Sequence, residues 1–162
     1  MLKAGPNRIL NLIEGFKVEV SKFNTIENIA NSVFYCLENE LKNFVSSCHE
    51  RFPHGCCDIS SGLLLRALSD AGFCDFNLIR GTDSEDLNHV WIEDDKFIID
   101  LTSHQFDQFG EPMILISKEA YPLNKPPYYT ITEITDVNGW GYFEILANEF
   151  FDSFYSKYYI KK

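Results

Sequence analysis

The chain has 162 residues, 45% of them hydrophobic with 14 Phe and 8 Tyr, and its 24 acidic against 14 basic side chains give a formal charge of -10. That length and apolar content fit one compact domain over residues 1–162. The negative field repels phosphate backbones and anionic membrane surfaces, which argues against nucleic acid or a membrane as partner.

The amino terminus, MLKAGPNRILNLIEG, lacks the unbroken apolar stretch and small-residue cleavage site of a secretory signal. Five cysteines (Cys36, Cys48, Cys56, Cys57 and Cys74) make an odd number in a chain too long to need disulfide staples. Reduced thiols in a cytoplasm are the expectation, and export by a signal-independent route would leave the same pattern. Cys36, Cys48 and Cys74 read as small buried hydrophobes.

In chain order, Ile26, Ile29, Ala30, Val33, Phe34, Leu37, Leu41, Phe44, Val45 and Cys48 recur at helical spacing, and Asn24 with Glu27 offers a capping box, so a helix is predicted from Asn24 to Cys48. Pro53 and Gly55 break the pattern. A second helix is predicted from near Cys57 to a Gly72 stop. The texture then changes to short β-type runs, FNLIRG, NHVWIE, KFIIDL, PMILIS and YYTITEI, with a loop marked by Pro122, Pro126 and Pro127. Phe143, Leu146, Phe150, Phe151, Phe154 and Tyr158 fall roughly on one side of a last helix between Gly141 and Ile160. The order predicts an α+β fold, with amino-terminal helices packed on an antiparallel sheet and a carboxy-terminal helix.

The chemistry concentrates in FPHGCCDISSGLLLRAL. Cys57 stands where a turn ends and a helix begins, so unpaired N–H groups and the positive end of the helix dipole face its sulfur. That setting favours the thiolate a nucleophile needs, and the same N–H groups can hold the oxyanion formed when a carbonyl is attacked. In NHVWIEDDKFIIDL, a hairpin with Asp94-Asp95 as its two-residue loop pairs His89 directly with Asp100. Val90, Ile92, Phe97, Ile99 and Leu101 then share one face, and His89, Trp91, Ile98 and Asp100 the other. Opposed Cβ atoms stand about 5 Å apart, so Asp100 can fix the imidazole tautomer while the other ring nitrogen faces Cys57.

The order of a cysteine at a helix start, a histidine on a strand and an aspartate on the next strand resembles the papain-like and transglutaminase-like superfamily. Gly55, Cys56 and Cys57 match its Gly-x-Cys helix entry, and His89 and Asp100 its later pair. FPHGCCDISSGLL, HVWIE and IIDLTSHQF are more closely similar to small bacterial transglutaminase-like proteins, and less closely to the proteases that mature lasso peptides. The resemblance spans about Phe52 to Phe106, a third of the chain. It implies a Cys57-His89-Asp100 triad without metal or cofactor, acting as a peptidase, amidase or acyltransferase on a peptide or other amide-containing substrate. The chain departs from the pattern in two ways. Arg51 and His54 stand where such enzymes place an upstream glutamine, and Asp58 stands where many carry a bulky aromatic.

Other assignments compete. Trp91 reads as core or cleft wall before substrate platform, and Gln105 and Phe106 as cleft lining or turn. A zinc site from His54, Cys56, Cys57 and His104 is disfavoured because adjacent cysteines lack the usual spacer. Asp83, Glu85, Asp86, Asp94 and Asp95 read as solvated loop residues, or alternatively as a cleft mouth that favours a basic peptide or amine. A domain that kept the fold for binding without turnover, docking a protein partner on its aromatic carboxy-terminal helix, is the alternative to an enzyme.

Overall fold

The computed structural model describes residues 6–47, 51–135, 137 and 140–159. Helix α1 runs Pro6–Glu40 and tightens into a 3-10 turn at Leu41–Asn43, and α2 runs Cys57–Asp70. Strands β1 (Asn77–Thr82), β2 (Asn88–Glu93), β3 (Phe97–Asp100), β4 (Met113–Ser117) and β5 (Thr130–Thr135) follow, and α3 (Phe143–Ser153) continues into a π-helical turn at Phe154–Tyr158. The strands form one sheet in the order β4-β3-β2-β1-β5, every pair antiparallel. The α+β order and the antiparallel sheet agree with the sequence.

Helix α1 starts far before the expected Asn24. Pro6 suits a first helical position, because its missing N–H would have no partner there. Asn24 is an exposed mid-helix residue rather than a cap. The predicted apolar face is otherwise present: Ile26, Ile29, Ala30, Val33, Leu37 and Leu41 are all buried. The expected end at Cys48 is too late, since Phe44 is extended (φ -73, ψ 128) and Val45, off the helix, is 94% exposed. Cys48 itself lies outside the described residues.

Helix α2 ends as the sequence indicates. Gly72 takes φ +91 and its N–H donates to the Ser69 carbonyl, while the Phe73 N–H reaches back to that of Leu68. These two bonds satisfy carbonyls that the last turn would leave open, a Schellman ending that only a positive φ permits.

Helices α1, α2 and α3 cover one face of the sheet, where Ile59, Leu63, Leu64, Val90, Ile92, Ile99, Leu101, Phe143 and Phe150 belong to one buried cluster. The opposite face is also closed. Ile79, Trp91 and Ile98 pack there against Tyr121, Leu123 and Tyr129 from the β4–β5 connection. That connection carries the proline cluster, and Glu93 ties it down by accepting from the Trp91 indole N–H (3.1 Å) and the Lys118 ammonium (2.6 Å).

The β2–β3 hairpin is shifted by two residues from the predicted register. Ile92 pairs with Ile99 and Glu93 with Ile98, so Asp95 and Lys96 form the tip. Asp94 sits at the base of the turn, where its carboxylate accepts from the N–H groups of Lys96 and Phe97. A shift of two preserves the side-chain alternation, so the face assignment survives although the direct partners change. In β4, Leu115 takes φ 55 at a bulge, which turns both Ile114 and Leu115 toward the helix-covered cluster before Ile116 returns to the other.

Gly81 pairs with His89 across β1 and β2. A Cβ at Gly81 would stand 2.7 Å from the Tyr129 Cβ and 2.8 Å from the Trp91 ring. Neither neighbour is the loose end of a flexible chain. Gly81→Ala should therefore destabilise the domain by roughly 1–3 kcal/mol, the usual cost of overpacking, seen as a lower midpoint in urea unfolding.

Candidate functional site

Arg51 to Gly55 forms a turn in which the His54 N–H donates to the Arg51 carbonyl and that of Cys56 to the Pro53 carbonyl, with Gly55 at φ +66. The turn delivers the chain into α2 with Cys57 as the first helical residue. No preceding helical turn supplies acceptors for the first N–H groups, and that of Ile59 is taken by the Asp58 carboxylate at 2.8 Å. Cys56 is buried with its thiol toward the His54 carbonyl at 3.3 Å, whereas Cys57 is partly accessible. The Ser61 hydroxyl donates to the Val90 carbonyl at 3.1 Å and fixes the start of α2 against β2, the strand that carries His89.

His89 Nε2 meets Asp100 Oδ2 at 2.7 Å although the two residues are not directly opposed. The carboxylate is 0% exposed and fully engaged. Its Oδ2 also accepts from the Tyr121 hydroxyl at 2.8 Å, and its Oδ1 from the Thr102 N–H at 2.9 Å and the Thr102 hydroxyl at 3.1 Å. Cys57 lies near enough to His89 for its sulfur to favour the protonated imidazole. The imidazole is 1% exposed, boxed in by the rings of Phe106 (5.2 Å), Tyr129 (5.5 Å) and Trp91 (5.9 Å). Gln105 Nε2 stands 3.3 Å from His89 Nδ1.

The charges follow from this packing. Burial opposes a proton on His89, but the Asp100 carboxylate, by charge and hydrogen bond, and Cys57 outweigh it and push the imidazole up to about 10. Burial likewise opposes ionisation of Asp100. The His89 charge and bond, the Thr102 N–H and the Tyr121 hydroxyl overcome that and hold the carboxyl below its ordinary value. Tyr121 pays in the opposite direction, its phenol raised well above the usual range by burial and by Asp100.

Beside Cys57 opens a cleft of about 340 Å³, lined by Gly55, Asp58, Arg80, Asn88 and Trp140. A larger groove of about 570 Å³ runs along α1 past Asn28, Asn31, Tyr35 and Tyr158, but no thiol or imidazole lines it. The chemistry therefore favours the smaller cleft. Asp58 does not oppose the sulfur as a loose charge, since its carboxylate accepts from the Ile59 N–H and the Tyr142 hydroxyl.

The structure brings Cys57, His89, Asp100 and Gln105 together. It encloses Trp91 fully, so that side chain is the floor under the imidazole and is not a substrate contact. Cys36 is buried as expected, but Cys74 is exposed, because it follows the end of α2 outside the packed layer. His54, Cys56, Cys57 and His104 do not converge, and no metal-binding cluster occurs among the described residues. Asp83 and Asp94 build turns, Asp83 by accepting from the Glu85 and Leu87 N–H groups. Sequence reasoning missed Thr102 and Tyr121. A carboxylate two residues before a potential N–H donor is an Asx-type signal that could have found Thr102; Tyr121 lies 21 residues from Asp100 with no local cue.

This is an α+β domain in which Cys57 lines an open cleft and a histidine and an aspartate pair in the interior behind it. No known protein-family model matches the chain, and no match exists among the curated proteins or the solved structures.

The pair makes folding stability depend on pH. His89 holds its proton in the native state to about 10 against 6.5 ordinarily, so its contribution is whole below pH 6.5 and vanishes as pH rises through about 10. Asp100 works the other way: its contribution is present above the ordinary 3.8 and is lost as pH falls through the lower native value. Urea midpoints of the native chain should decline between pH 6.5 and 10 with a slope that His89→Ala lacks. Equal slopes in the two proteins would refute the pairing.

Proposed function

We propose that the domain is a cysteine-dependent enzyme of the papain-like and transglutaminase-like kind, a peptidase or amidase, or an acyltransferase, acting on an amide or ester carbonyl. The observation that carries the proposal is the buried His89–Asp100 pair, its carboxylate saturated by four hydrogen bonds, with Cys57 as the imidazole's other partner at the start of α2.

In this mechanism the thiol proton of Cys57 rests on His89, whose imidazole holds its proton to about 10, and the Cys57 sulfur attacks the carbonyl carbon from that pair. The Cys57 backbone N–H, at the positive end of α2, holds the oxyanion. Collapse breaks the bond to the leaving amine or alcohol, which takes the proton from His89, and an acyl-thioester remains on Cys57. Water or an amine then resolves the thioester, again with His89 as base, and regenerates the thiol. Asp100 fixes the tautomer and supports the imidazolium throughout.

An activated acyl ester such as p-nitrophenyl acetate tests the assignment, with the modified residue located by mass spectrometry. The acyl group should form on Cys57 and not on exposed Cys74. Cys57→Ala should abolish this acylation, and His89→Ala should slow it roughly 100-fold or more, with a smaller loss in Asp100→Ala. Acylation spread over the cysteines and indifferent to His89 would favour the binding domain without turnover.

A further inference from the structure

The cleft beside Cys57 has one wall from the sheet, where Arg80 on β1 and Asn88 on β2 line it, and another from Gly55 and Asp58 at the entry to α2. In the β1–β2 register Arg80 stands opposite Val90 and Thr82 opposite Asn88, so Arg80 and Asn88 share a face as diagonal neighbours. Such neighbours lie about 7–8 Å apart, close enough for a long side chain and a short one to converge on one small group.

The hydrogen bonds already made decide what that group is. Asn88 Oδ1 accepts from the Thr82 hydroxyl at 2.8 Å, and the Asn88 amide N–H groups have no acceptor among the described residues. Arg80 adds a guanidinium with five N–H donors and no acceptor. Glu133 stands opposite it on β5, but even a bidentate bond to one carboxylate uses only two of five donors. On the facing wall the Asp58 carboxylate is engaged by the Ile59 N–H at 2.8 Å and the Tyr142 hydroxyl at 3.0 Å. The loop acids Asp83, Glu85, Asp86, Asp94 and Asp95 do not line the cleft. The side chains of the sheet wall thus offer donors and a positive charge.

We propose that Arg80 and Asn88 are specificity-determining residues that hold a carboxylate on the acyl donor, so that the acyl group taken up by Cys57 is itself acidic. The proposal rests on Cys57 as the nucleophile, assigned above. The chemistry required is an acyl carbonyl a few bonds from a carboxylate, as in an aspartyl or glutamyl residue or the half-amide of an unbranched dicarboxylic acid. Acylation forms the bond from the Cys57 sulfur to the acyl carbon and breaks the bond from that carbon to the leaving amine or alcohol. The carboxylate takes no part and stays with Arg80 and Asn88. A basic peptide would instead set a cation against the guanidinium.

The test compares the rates at which two p-nitrophenyl esters acylate Cys57, the half-ester of adipic acid and its neutral counterpart ending in a primary amide. The two differ only in the end group, and the neutral ester is the reference within each chain. The adipate ester should react about tenfold faster or more in the native chain, the worth of one hydrogen bond to a charged group. Arg80→Gln should remove the preference, which separates Arg80 from any pull of the His89 imidazolium. Asn88→Leu should weaken it, and Asn88→Asp should reverse it by setting like charges together. N-acetyl-glutamyl against N-acetyl-glutaminyl p-nitroanilide separates the two sources. Preference for the glutamyl compound places the carboxylate on a residue, and preference confined to adipate places it on the unbranched half-acid; both support the proposal. Equal rates or a slower adipate ester in the native chain, or a preference that survives both Arg80→Gln and Asn88→Asp, overturns it and leaves the Cys57 assignment standing. If neither ester acylates Cys57 in the native chain, the enzyme reading fails and this proposal with it.

Discussion

A carboxylate without access to water controls this molecule. Taking Asp100 out of solvent costs several kcal/mol before any partner is found, and the fold meets that cost with one charged partner and three further donors. Breaking a buried pair of this kind costs roughly 3–5 kcal/mol, whereas an exposed pair is worth about 0–1 kcal/mol. The surface bridge between Lys22 and Asp75 belongs to the second class. The site and the stability of the sheet are thus the same interaction seen from two sides.

Much of the surrounding architecture serves that pair. Thr102 reaches Asp100 because β3 ends there in a tight turn, and Tyr121 reaches it because the β4–β5 connection folds back over the sheet. Gly81 leaves the space in which Trp91 and Tyr129 close around His89. The Ser61 bond to the Val90 carbonyl holds α2, which begins at Cys57, on β2, which carries His89. Orientation is built into rigid elements, so little reorganisation would accompany proton transfer.

The fold class, all five strand runs, the start of α2 and its Gly72 ending were legible because each rests on local chemistry: side-chain period, a turn, a positive φ. Cys57, His89 and Asp100 were legible for a related reason. Alternation keeps His89 and Asp100 on one face for any even shift of the hairpin, so the error of two residues in the register left them within reach. The early start of α1 was missed because Phe16, 70% exposed, belongs to a stretch from Glu14 to Lys22 that lies exposed, and the core stripe begins only later. Tyr121 was missed because its partner is fixed by the path of a long connection, which no local pattern encodes.

The central claim is that Cys57 and His89 work as a pair while the other cysteines do not. The most direct measurement is the rate of iodoacetamide alkylation near neutral pH, with each modified cysteine mapped by mass spectrometry in the native chain and in His89→Ala. The account predicts that Cys57 reacts about tenfold or more faster than Cys74, despite the greater exposure of Cys74, and that the advantage disappears without His89. A Cys57 that reacts no faster than Cys74, or whose rate ignores His89, would contradict it.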